Sequence, residues 1–224
     1  MDTETLLASL QNADSFFPGG GIAFSSGLET LIADGLVQGP EEVQAFVQGQ
    51  LEQRWAVCDR IALVAAYRAQ AVTEIQGVDR EIEAMTLALE LREGSRRAGA
   101  SLLAVHERLG TAGASAYRGL VRAGQAHGHL PVVQGFLWRA AGLSEASAQA
   151  ASAHTFCVGL LGAALRLGII GHIHGQETLT RLRPSLSALL AQPVPAVEEM
   201  YTCAPAAEIA AMRHEVQSSR LFAN

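Results

Sequence analysis

Lysine is absent from this chain of 224 residues: all 16 of its lysine-or-arginine positions are arginine. No Walker A lysine can therefore hold a nucleotide phosphate, and no amine can form a Schiff base with pyridoxal phosphate. The chain does not bind GTP through a P-loop of its own. Cysteine is scarce, and Cys58, Cys157 and Cys203 are far apart with no Cys-x-x-Cys spacing. That reads as reduced structural thiols rather than a disulfide or zinc framework. Positive charge is short too. A net charge of -6 and a pI near 5.6 argue against nucleic acid, which needs clustered basic side chains to displace counterions. Gly-x-Ser-x-Gly, His-Glu-x-x-His and paired-carboxylate signatures are missing, so an enzyme would have to assemble its site from scattered residues. Nothing alternates with period two over a useful length, which predicts no strand. No basic segment followed by an apolar one opens the chain, and a cytoplasmic location is the expectation.

What is present centres on residues 144–170, apolar or small on every side for most of their length. A helix without a polar face must be surrounded by protein or lipid. The apolar run 156–165 is short of the roughly 20 residues a bilayer needs, and His154 and Arg166 bracket it. The stretch is read as a buried core helix, with Ser144 as N-cap and Gly168 and Gly171 as the stop. Gly159 and Ala163 leave a bare ridge that a neighbouring helix could approach closely. With 49% hydrophobic residues, the chain can bury one substantial core. The expected fold is an all-α, single-domain helical bundle spanning 1–224, built around this helix.

Other helices follow from periodicity and capping. Ser26-x-x-Glu29 has capping-box spacing, predicting a helix over 27–34 that stops at Gly35. Pro40, Glu41 and Glu42 open another, with Val43, Phe46, Val47 and Leu51 on one stripe. Asp59 is read as the cap of a helix to Ala71, and Asp79 as the cap of one carrying Ile82, Met85 and Leu89. Gly94 and Gly99 predict a break in 91–110, on which Glu93 would pair with Arg96 and Arg97. Short helices are expected over 117–122 and 131–141, and one over 176–190 interrupted at Pro184.

Candidate metal ligands are weak. His172 with His174, and His127 with His129, are spaced i, i+2, which does not bring two ligands onto one helix face. His172 and His174 are kept as weak candidates.

Two stretches carry a resemblance. The run EIAAMRHEVQSSRLF (208–222) and the N-terminal DSFFPGGGIAFSSGLE (14–29) resemble the UreF family of urease accessory proteins. The second matches at Asp14, Ser15, Pro18, Gly20, Gly21, Ser25, Gly27, Leu28 and Glu29. Weaker likenesses fall between them, in RRAGASLL (96–103), HLPVVQGF (129–136) and ALRLG (164–168). The resemblance implies an all-helical homodimeric scaffold that is not an enzyme and binds no cofactor of its own. It implies binding to UreD (also called UreH), recruitment of the GTPase UreG, and nickel as cargo delivered to the urease apoprotein. By the same resemblance, Pro18, Gly20, Gly21, Ser25, Gly27 and Glu29 lie near the assembly surface. Arg213, His214, Glu215, Arg220, Leu221 and Phe222 belong to a partner-binding tail at 205–224. That tail is expected to be loosely attached until a partner orders it, since chain ends need docking to be ordered. Two alternatives stand beside this reading: a UreF-like paralogue serving another metalloprotein client, and an all-α small-molecule enzyme with a pocket under the central helix.

Overall fold

Pro40 at the first helical position, followed by Glu41 and Glu42, starts a helix that does not stop until Arg68. This computed structural model describes residues 3–18, 24–217 and 221–222. Among them the elements run α1 (Thr3–Ala13), α2 (Leu28–Ala33), α3 (Pro40–Gln50), a π-helical segment (Leu51–Asp59), α4 (Arg60–Arg68), α5 (Val72–Met85), α6 (Leu89–Arg108), α7 (Ala114–Arg122), α8 (Leu130–Ala140), α9 (Glu145–Arg166), α10 (His172–Ala191), a 3-10 turn (Val197–Glu199) and α11 (Pro205–His214). No strand forms among the described residues, in line with the all-α expectation.

The helix α9 runs as its caps dictate. Ser144 Oγ accepts from Ser147 N at 3.1 Å, and Gly168, at φ 71°, ends it with Ile169 N donating to Ala164 O. Its burial is one-sided, contrary to expectation. Cys157, Leu160, Leu161, Ala163 and Ala164 are buried, whereas Val158, Gly159 and Gly162 are only half-buried and line an open groove. A Cβ added at Gly159 or Gly162 would meet nothing within 4 Å, so no neighbouring helix closes on that face. The close approach occurs elsewhere. At Gly135 of α8, an added Cβ would sit 2.2 Å from Leu63 O of α4, and at Gly99 of α6 it would sit 1.9 Å from Gly128 O. Gly94 and Gly99 therefore mark packing, and α6 runs through both without a break.

Several expected caps are corrected likewise. Ser26 has φ 53° and the N-cap of α2 is Gly27, at φ 87°, without a side-chain cap. Asp59 lies inside the continuous 40–68 helix and is buried. Asp79 is midway along α5, where its carboxylate accepts from the backbone N of His127, Gly128 and His129 and from Tyr117 Oη. Arg96 pairs with Glu83 of α5 rather than with Glu93. Pro184 lies within an unbroken α10. The π-helical segment had no counterpart in the periodicity reading. Its Val57 O and Gln53 O accept from Tyr201 N and Cys203 N, clipping the strap before α11 to it.

His106 ties α1 to α6. Asn12 Nδ2 donates to Ala8 O, which leaves Asn12 Oδ1 as acceptor for His106 Nε2–H, so Nδ1 accepts from Thr111 Oγ1 and the ring is satisfied as a neutral imidazole. Burial pushes its pKa down to about 4, against about 6.5 in an unfolded chain. The unfolded state thus takes up this proton first, and the stability contributed by neutral His106 is present above about pH 6.5 and lost as pH falls towards about 4. Replacing His106 with Asn should flatten the pH dependence of thermal unfolding across that window. An unchanged slope would show that His106 is not the group responsible.

Candidate functional site

The first and last motifs, some 185 residues apart, meet in the fold. Gly27 makes the approach possible. Its φ of 87° suits glycine, and an added Cβ would lie 2.5 Å from Ala207 O of α11. Close backbone contact there brings the first turn of α2 against the tail, and Glu29 becomes the hub. One of its oxygens accepts from Leu221 N at 2.7 Å, and the other from Phe222 N at 3.2 Å and faces His214 Nε2 at 3.0 Å. The second ring nitrogen, His214 Nδ1, faces Glu90 of α6 at 2.9 Å. His214 has no exposed surface. A neutral imidazole carries one N–H, so two such bonds to carboxyl groups require two protons shared among Glu29, His214 and Glu90.

Further contacts fasten the tail. Arg213 forms a two-pronged pair with Asp34 at the end of α2, Gln217 donates to Thr30 Oγ1, and the Arg166 guanidinium lies 4.4 Å from the centre of the Phe222 ring. Phe222 is 6% exposed and belongs to the core cluster that contains Leu28, Leu31, Leu161 and Leu182. This corrects the expectation of a loosely attached tail: α11 and residues 221–222 are docked without a partner. The hydrogen-bonding side chains of α11 explain it, because apolar periodicity does not reveal a buried histidine that faces a carboxyl group at each ring nitrogen.

Among the residues singled out in the sequence, Gly27, Glu29, Arg213, His214, Leu221 and Phe222 are therefore brought together. Ser25 is buried beside them and its carbonyl accepts from Leu28 N. Pro18 and Glu215 are exposed and stand outside the Glu29 network, and Gly20, Gly21 and Arg220 lie outside the described residues. Glu90 and Asp34 were missed, since neither falls in a motif. His172 and His174 are exposed in the first turn of α10. Among the described residues, no group of three or more His, Cys, Asp or Glu could hold a metal ion.

One apolar ridge of the docked tail faces outward. Ile209, Met212 and Val216, spaced three and four apart, are exposed, as is Leu221.

The model of the UreF family matches residues 37–183. The chain belongs to the UreF family. Over 233 aligned residues it is 37% identical to the urease accessory protein UreF of Trichodesmium erythraeum, covering all of this chain and 98% of that protein. It is 33% identical to the urease accessory protein UreF of Paenarthrobacter aurescens and 31% identical to that of Haemophilus influenzae, each across 96% of this chain and 96% and 94% of those proteins. The family model stops short of both meeting motifs, but the likeness to the Trichodesmium erythraeum protein covers all of this chain and so includes them. As a UreF-family member the chain is an accessory protein rather than a catalyst, which sets aside the small-molecule enzyme. The helix α9 is long and apolar enough to cross a membrane by length and composition alone, and 56% of its apolar window is buried within the protein.

Proposed function

We propose that this chain is a cytoplasmic, homodimeric scaffold that binds UreD (UreH), recruits the GTPase UreG, and so helps deliver nickel to the urease apoprotein. The chain holds no lysine for nucleotide phosphates, so the GTPase chemistry is assigned to the partner. The observation that carries the reading is the two-sided tail. Its inner side is locked by Glu29, Glu90 and Asp34, while Ile209, Met212, Val216 and Leu221 are presented to solvent. An apolar stripe that begins on α11 and is held on a docked support suits a partner groove, because less ordering cost remains to be met on binding. Arg213, beside the stripe, already pairs with Asp34 and would orient the helix.

The test is co-expression with UreD and UreG. Burying Ile209 and Met212 is worth about 1.5–3 kcal/mol apiece, so the double substitution Ile209→Glu, Met212→Glu should weaken UreD capture by at least about tenfold. Both side chains are exposed, so the melting temperature should hold. Undiminished capture by the variant, or no capture by the unaltered chain, would overturn the reading.

A further inference from the structure

The open face of α9 bounds a groove of about 600 Å³, within the range of small-molecule sites. Its walls are largely apolar, including Ala98, Leu102, Val158 and Gly159, but its lining also holds polar groups supplied by the π-helical segment and α8. Bonding from i to i+5 sets Arg54 and Asp59 nearly one above the other, where an α-helix of about 3.6 residues per turn would turn them apart. Trp55 Nε1 donates to Ser152 Oγ, which donates to Gln134 Oε1. That chain of bonds is complete, but other donors that line the groove find no protein acceptor among the described residues.

Arg54 is 8% exposed, and its only polar contact among the described residues is Nε to Asp59 at 3.7 Å, too long for a hydrogen bond. The terminal guanidinium nitrogens have no acceptor there. Trp138 also lines the groove, and its indole N–H is buried without a partner among the described residues. Burying the Trp138 donor unpaired is costly, and the Arg54 guanidinium is left without a protein acceptor in the groove. A planar guanidinium fits the two oxygens of a carboxylate. Asp59 does not meet that need, because its Oδ2 lies 3.7 Å from Arg54 Nε and does not reach the terminal nitrogens.

We propose that this groove binds a small carboxylate with an apolar body, the carboxylate on Arg54 and the body along the Val158, Gly159 and Gly162 face of α9. The groove shares Glu90 and Arg166 with the contacts that dock the tail, but the proposal does not rest on the UreD and UreG reading. The two tryptophans of the chain, Trp55 and Trp138, both line the groove, so intrinsic fluorescence reports occupancy directly.

The experiment titrates the full chain with octanoate, with octan-1-ol as the same body without charge, and with acetate as the head without the body. Octanoate should give a saturable fluorescence change and bind at least about tenfold more tightly than either control, the minimum set by a charge-assisted hydrogen bond. Arg54→Gln should abolish the preference for octanoate over octanol. Gly159→Leu should block octanoate altogether, and because its added side chain enters open space on a helix that prefers leucine to glycine, the fold should be retained. Circular dichroism checks each variant, and if Arg54→Gln does not fold, Gly159→Leu decides. No saturable response to octanoate, equal binding of octanol, or undiminished binding by folded Gly159→Leu would overturn the proposal.

Discussion

Replacing Asp79 with alanine should lower folding stability by about 3–5 kcal/mol, the range for leaving buried charge-assisted bonds without one partner. Asp79 has no exposed surface, and it gathers three consecutive backbone N–H groups, of His127, Gly128 and His129, together with Tyr117 Oη. Those amides come from the loop that must lie against Gly99, where the backbones almost touch. No other acceptor can reach them without reopening that contact, so the substitution strands the amides and frees the entry to α8. Asp79→Asn keeps a carbonyl oxygen but sets an NH2 against donors, so it should fall between alanine and the unaltered chain. Urea unfolding of the three proteins measures this, and a loss below about 1 kcal/mol for Asp79→Ala would show that water replaces the carboxylate.

Much of the helical layout was legible in the sequence because it rests on local chemistry. Ser144, Gly168, Pro40 and Gly35 act through their own backbone neighbours, and each is placed as periodicity and capping predict. Asp79 was misread for the converse reason. An aspartate that caps a distant loop has the same local surroundings as one that caps its own helix, and only the partner's position separates them. Gly94 and Gly99 look like helix breakers until Phe24 and Gly128 are seen against them. The π-helical segment is invisible to a period of 3.6. Of the candidate site, the two motifs were legible through resemblance, but their meeting at Glu29 was not, because the acceptor of one end and the donors of the other carry no shared local signal. Glu90 completes the group from a third helix and lies in neither motif.

The tail's attachment gives the other large effect. Glu29→Ala removes the acceptor for Leu221 N and Phe222 N and one of the two carboxyl partners of His214, which has no access to water. Stranding these donors should cost the docked tail about 2–4 kcal/mol. Helix α11 and residues 221–222 form the end of the described chain, so the loss should appear as local opening rather than as an equal fall in global stability. Amide hydrogen exchange in α11 should quicken by at least about thirtyfold, the equivalent of about 2 kcal/mol, while α8 and α9 keep their protection. Glu29→Gln, which retains one acceptor oxygen, should show a smaller increase. The two sides of the tail then separate experimentally: Glu29 variants loosen it, whereas substitutions on the Ile209 and Met212 ridge leave it docked and alter only what it can bind. If Glu29→Ala left α11 exchange unchanged, the Arg213 pair with Asp34 and the burial of Phe222 would suffice to hold the tail, and Glu29 would lose its place as the hub.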